Sequence, residues 1–234
     1  MRLGQEVTPA LVQQLQPEVI LVAVGARRAA LPIPGADRAN VLSGDDLRSL
    51  MTGGDARVAA EKLSLRQRAM LKMGSLLGLA DRMALTRELT RHWMPLGKRV
   101  AVIGGGLIGV ELAEFLSERG REVTVLEESQ TLATEMALPR RWRALYTLRE
   151  HGVRLLTAAA VEEITDAGVV YRQHGERQVA PADHIIIATG VLDNRSLAEA
   201  FAGCAAEIHL VGDCGGVGYI EGALRDAARV ARMI

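Results

Sequence analysis

The chain has 234 residues, 49% of them hydrophobic, which is enough for one large core or two small ones. Lysine plus arginine and aspartate plus glutamate both number 28, so no net charge draws it to nucleic acid or anionic lipid. Two cysteines, Cys204 and Cys214, provide no zinc spacing, CxxC pair or disulfide framework; with no signal-type N-terminus and no apolar run near about 18 residues, the expected setting is cytoplasmic, with no transmembrane segment.

The opening MRLGQEVTP reads as the end of a strand at Arg2 and Leu3, a turn, and a short helix from about Thr8 to Leu15. PEVILVAVGA follows, a continuous apolar run of the buried parallel-strand kind, with its strand at 19–24. Residues 55–95 are rich in leucine, methionine and arginine and predict one or two amphipathic helices broken near Gly78. Their basic residues, among them Lys62, Arg66, Arg68 and Lys72, allow a membrane-surface or partner-docking helix. Acids at Glu61, Asp81 and Glu88 dilute that face and allow instead an inserted hairpin packing its apolar side on its own domain or on a missing one.

Further short apolar runs predict strands at 99–103, 122–126, 153–156 and 183–188, with helices at 107–119, 140–151 and 219–233. Strands alternating with helices in this way imply an α/β, Rossmann-like, doubly wound parallel sheet. Between 160 and 181 the alternation shortens, and turn signals at Asp166-Ala167-Gly168 and His174-Gly175 predict a small antiparallel meander.

The segment 99–127, RVAVIGGGLIGVELAEFLSERGREVTVLE, carries most of the functional information. Gly104 allows a tight turn after the strand, and Gly106 lets backbone approach a pyrophosphate. Gly109 lets the helix pack closely, while Leu107 and Ile108 open a helix whose unpaired N–H groups face an anion. Glu127 lies 21 residues after Gly106 (127 − 106), at a strand end where a carboxylate takes ribose hydroxyls.

Four segments together now resemble one family: the fingerprint at 104–109, VAVGARRAALPIPG at 22–35, IIIATGVLDNRSLAEA at 185–200, and EIHLVGDCGGVGYIEGALRDAARVA at 207–231. The set resembles the two-dinucleotide-binding-domain flavoproteins (pyridine nucleotide-disulfide oxidoreductase-like). Within them it is most similar to the C-terminal region of NADH:flavin oxidoreductases of the 2,4-dienoyl-CoA reductase and trimethylamine dehydrogenase type. The resemblance implies that Gly25 and Ala26, and Thr189 and Gly190, mark the crossings between FAD and NAD(P) domains. It implies that Gly212 and Asp213 belong to the strand-end motif at the flavin, whose aspartate holds the ribityl chain, an aspartate cap or turn being the alternative for Asp213. Glu111 matches a family position near the nicotinamide, with a helix-dipole acid as the alternative.

The resemblance divides the chain into a partial FAD-binding domain at 1–42, a helical insert at 43–95, an NAD(P)-binding domain at 96–192 and a returning FAD segment at 193–234. The family carries two glycine fingerprints, and this sequence has one, by order the second. The residues before Leu21 are too few for the about 30 that the first unit needs. The chain is therefore expected to be a C-terminal portion of such a flavoenzyme, partnered by an upstream barrel with FMN and an iron–sulfur cluster, with homo-oligomerisation open.

In this family the cofactors perform the chemistry. The implied reaction is hydride transfer from nicotinamide to FAD, with electrons passed on to an enoate or dienoyl-CoA reductase-like active site; no side chain is expected to be catalytic. Glu127 and Glu128 place negative charge where an NADP phosphate would sit, so NADH is expected in preference to NADPH. The five histidines, His92, His151, His174, His184 and His209, are scattered and read as structural or solvated. A non-catalytic nucleotide-binding or partner-docking module is the competing expectation.

Overall fold

The computed structural model describes residues 2–28, 32–44, 46–47, 94, 96–189 and 191–234. The helical insert expected at 55–95 lies almost entirely outside the described residues, as do His92 and Gly190. The chain forms two compact units, a larger one from Leu31–Thr189 and a smaller one from Met1–Ala30 with Gly190–Ile234. The first passage between them falls near residue 30, before the boundary at 42 that the sequence suggested, because residues 41–43 join the larger unit's sheet.

In the smaller unit, helix α1 (Pro9–Leu15) begins with Thr8 accepting the Leu11 N–H and Pro9 in the first turn, and Gln16 ends it in the left-handed conformation. Strand β1 (Val19–Val22) follows, then β2 (Arg27–Arg28). No strand forms at Arg2 and Leu3: they pair with nothing among the described residues, and Leu3 is 81% exposed.

The larger unit contains β3 (Val41–Ser43), β4 (Arg99–Ile103), helix α2 (Leu107–Ser117), β5 (Glu122–Leu126), helix α3 (Leu138–Glu150) and β6 (Arg154–Leu156). It continues with β7 (Ala159–Thr165), β8 (Gly168–Gln173), β9 (Glu176–Pro181) and β10 (His184–Ile187). Five strands make a parallel sheet in the order β3-β10-β4-β5-β6. Alternating residues sort to its two faces, as the strand period requires. Val100, Val102, Val123, Val125 and Ile186 pack with Val110, Ala113 and Leu116 of α2 and Ala144 and Leu148 of α3. Ala101, Ile103, Leu126 and Ile185 face the other way, onto Ala159, Ile164, Val169, Tyr171 and Ala180 of the antiparallel meander β7-β8-β9. Helices thus cover one face and the meander the other. Tyr171 is buried and satisfied, donating its hydroxyl to Gln178 Oε1 at 2.8 Å. The proline loop also docks here, where Pro34 accepts the Ile164 N–H at 2.8 Å.

The smaller unit is completed by β11 (Val191–Leu192), helix α4 (Ser196–Ala200), β12 (Glu207–Leu210) and helix α5 (Tyr219–Val230). β1 and β12 pair in parallel, while β2 and β11 pair antiparallel. Val12, Val22, Phe201 and Cys214 form the buried centre. Leu21, Ile220 and Leu224 remain exposed, so much of this unit's apolar surface is uncovered. Among the described residues no helix is long and apolar enough to cross a membrane, and no group of three or more His, Cys, Asp or Glu side chains is placed to hold a metal ion.

His184 ties the entrance of β4 to β10. Its Nδ1 accepts the Gly97 N–H at 3.0 Å, which requires a neutral ring nitrogen. Burial holds its pKa below the usual 6.5; Asp183 opposes that shift and Arg121 adds to it. The unfolded chain takes up the proton more readily, so this contribution to stability is full above pH 6.5 and is lost as pH falls through the lower folded value. Urea midpoints measured between about pH 7.5 and 5 should fall toward acid, and less steeply in His184→Gln.

Candidate dinucleotide site

The site is built by three consecutive pieces of the larger unit: the end of β4, the turn Gly104-Gly105-Gly106, and the start of α2. Gly104 has a φ of +104° and donates its N–H to the Leu126 carbonyl at 2.8 Å, which fixes the turn to the end of β5. A side chain there would strike the Thr189 methyl group. Gly109 is tighter still: a Cβ would collide with the Gly104 carbonyl oxygen, so α2 rests directly on the backbone of the turn. Gly106 sits at the N-cap of α2 and has no side chain to cap it. Intrahelical pairing starts with the Val110 N–H on the Gly106 carbonyl, at 3.0 Å. The N–H groups of Leu107, Ile108 and Gly109 precede that first bond, a concentration of positive partial charge suited to an anion.

Glu127 stands where the sequence placed it, just past β5, and its carboxylate also has local work. Oε2 accepts the Gly105 N–H at 2.7 Å and Oε1 accepts the Ser129 N–H at 2.8 Å. A carboxylate oxygen carries two acceptor positions, so both remain able to take ribose hydroxyls. Glu128 and Glu111 are exposed. The first arginine after Glu127 in the sequence, Arg140, is engaged by Glu114 at 2.6 Å across α2 and α3. That hydrogen bond and the neighbouring carboxylates raise its pKa further.

Thr189 Oγ1 is buried beside the turn with no hydrogen-bond partner among the described residues, and a buried hydroxyl left unpaired is costly. An N-cap without a side-chain cap, an orphaned hydroxyl and a carboxylate with spare acceptor capacity fit a dinucleotide.

In the smaller unit, Gly25 and Gly212 have φ values of +72° and +77°, and a side chain on Gly25 would meet open space. Ala26 is half-buried between Gly25 and β2. Gly212 donates its N–H to Asp226 Oδ2 at 3.2 Å. Asp213 Oδ1 accepts the Gly218 and Tyr219 N–H groups at 2.9 and 2.8 Å, at the start of α5. The two cysteines are free, and Cys214 is buried with its thiol on the Val22 carbonyl at 3.0 Å. His151 and His209 contact Ser117 and Glu207 at surface positions.

Sequence reasoning missed the loop after Glu127. Ala133 donates its N–H to the Gly105 carbonyl at 2.7 Å, and Leu132 lies over Gly105. Glu135 lies over Gly106, 29 residues away in sequence (135 − 106). No periodicity or motif marks TLATEM as part of the site.

The family described as pyridine nucleotide-disulphide oxidoreductase matches residues 5–209. A bilirubin reductase of Mediterraneibacter gnavus is 35% identical over 129 residues, covering 55% of this chain and 20% of the relative. An NADH oxidase of Thermoanaerobacter brockii is 29% identical over 139 residues, covering 58% and 21%. The chain thus spans about a fifth of the length of these curated relatives. Among solved structures, a 2-naphthoyl-CoA reductase superposes with a TM-score of 0.73 at 23% identity, covering 100% of this chain and 29% of that one. Histamine dehydrogenase from Rhizobium sp. 4-9 gives 0.68 at 14% identity, covering 98% and 32%. At these identities the likeness shows the fold.

The packing of α2 on the turn makes Gly109→Ala a sharp probe. It should lower stability by about 1–3 kcal/mol in urea denaturation, as overpacking does. It should also weaken nucleotide binding, because the helix N-terminus shifts with the collision.

Proposed function

This chain belongs to the pyridine nucleotide-disulphide oxidoreductase family, and we propose that it is the NADH-binding, electron-input region of an FAD-dependent oxidoreductase. The observation that carries this reading is the assembly of β4, glycine turn, α2 and Glu127 around the unpaired Thr189 hydroxyl. The N–H groups opening α2 receive the pyrophosphate, with Leu107 and Ile108 at that opening. Glu127 receives the adenosine ribose, and Glu111, in the first turns of α2, lies toward the nicotinamide end. The Thr189 hydroxyl pairs with the bound dinucleotide, with Gly190 beside it in sequence.

Bound nicotinamide and flavin supply the redox chemistry, a two-electron hydride transfer. The protein's part is to bind, orient and exclude. In the smaller unit, the strand-end Gly212 and Asp213, with the α5 N-terminus and the open backbone at Gly25 and Ala26, form this chain's share of an FAD site. Electrons then pass to an enoate or 2,4-dienoyl-CoA reductase-like active site in a region carrying FMN and an iron–sulfur cluster, either on the same polypeptide or on a partner. The exposed Leu21, Ile220 and Leu224 give that region, or a second copy of this chain, an apolar surface to cover. NADH is favoured over NADPH, since Glu127 and Glu128 repel a 2′-phosphate and Arg140 is committed to Glu114.

A second reading, a nucleotide-binding or partner-docking module without turnover, rests on one observation. The sequence carries a single glycine fingerprint, and it lies in the larger unit. Absorbance of the purified protein separates the two. A flavin spectrum bleached by NADH supports the oxidoreductase. A colourless protein that binds NADH by calorimetry supports the binding module, and one that binds neither nucleotide overturns both.

Glu127→Ala should weaken NADH binding roughly tenfold, the worth of about two ribose hydrogen bonds, and narrow the gap to NADPH. Equal NADH affinity in parent and variant, with NADPH still weak, would show that this carboxylate does not discriminate.

A further inference from the structure

The loop after Glu127 is built onto the glycine turn, and it delivers a carboxylate there. Leu132, Ala133 and Met136 are buried to within 5% of full enclosure, while Thr134 and Glu135 between them are exposed. Ala133 holds a φ of +48°, a conformation that alanine avoids at a cost of about 1–2 kcal/mol. Two backbone bonds hold it there: Ala133 N–H to the Gly105 carbonyl at 2.7 Å, and Met136 N–H to the Ala133 carbonyl at 3.1 Å. Strain maintained by surrounding structure next to a ligand cradle is a mark of a functional position.

That turn aims Glu135 at Gly106. A methyl group placed on Gly106 would lie 3.1 Å from Glu135 Oε1 and 3.6 Å from Oε2. The carboxylate therefore covers the glycine whose missing side chain lets a pyrophosphate approach, at the N-terminus of α2, which attracts either anion. Resting on the dinucleotide reading above, the geometry points to Glu135 as a residue that sets affinity for pyrophosphate-bearing ligands. Its carboxylate holds the anion position over Gly106 and must rotate out before a dinucleotide seats. Rotation is open to it because its side chain is exposed, whereas the backbone is tied on either side of it, at Ala133 and Met136. Glu127 has no such freedom, since both its oxygens hold backbone N–H groups.

The consequence is selective. A ligand that places phosphate over Gly106 competes with Glu135, and one that has no phosphate does not. Calorimetric titration of the parent, Glu135→Gln and Glu135→Ala with ADP-ribose, NADH and adenosine tests this. Both variants should bind ADP-ribose and NADH roughly three- to tenfold more tightly, with adenosine unchanged. Unchanged or weaker ADP-ribose binding in both variants overturns the role of Glu135 and leaves the dinucleotide site standing. An equal gain for adenosine also overturns it, since the effect would then not act through phosphate. Absence of ADP-ribose binding in the parent and both variants overturns the dinucleotide reading, and this inference with it.

Discussion

The larger unit depends on how closely α2 approaches the end of β4. At Gly109 that approach leaves no room for a Cβ, and helix backbone rests on the turn's own carbonyl. The same approach sets Val110, Ala113 and Leu116 into the sheet face formed by Val100 and Val102. It also holds the turn where Gly104 reaches the Leu126 carbonyl and Gly105 reaches Glu127. One backbone contact thus links helix, central strand, neighbouring strand and the acid beyond it. Spacing between the fingerprint and the acid follows from this: the acid must stand at the exit of the next strand for its carboxylate to reach the turn.

The sheet's two faces share out the work. Helices cover the face on which the glycine turn opens into α2, and the meander seals the opposite face with Ile164, Val169 and Tyr171. A meander suits that position because each of its strands pairs with its neighbour and needs only one apolar face. Ion pairs such as Arg172 and Arg177 with Glu162 stay at its solvent side, where they contribute little to stability.

What the sequence revealed follows from how local each signal is. The strands β4 and β5, the helix α2 and the hairpin turns of the meander are written in neighbouring residues, and their ends were read within a residue or two. β3 was not read, since three residues gain strand character only by pairing with β10, more than a hundred positions away. β2 and β11 have two residues each and exist through each other. The strand expected at Arg2 and Leu3 is absent for the converse reason: two residues with no pairing partner among the described residues do not make a strand. Glu127 was legible because its spacing from the fingerprint and the apolar run it closes place it at the end of β5. Glu135 was not, because its place depends on a left-handed alanine and a backbone bond to Gly105.

Two carboxylates at one helix N-terminus are not equivalent, and the difference lies in their partners. A carboxylate that accepts two backbone N–H groups has spent its mobility and becomes part of the turn, as Glu127 has. A carboxylate on an exposed turn residue, attracted by the same helix field, retains alternative rotamers at small cost. The first organises the cradle whichever ligand arrives. The second stabilises the cradle only while it remains there, so the cost of its departure must be offset by the incoming anion. An anion with two phosphates and a ribose on Glu127 brings more to that exchange than a simple phosphate does. A mobile acid over Gly106 therefore lowers the affinity of every ligand that seats phosphate there, and leaves measurable binding to those that also engage the rest of the cradle.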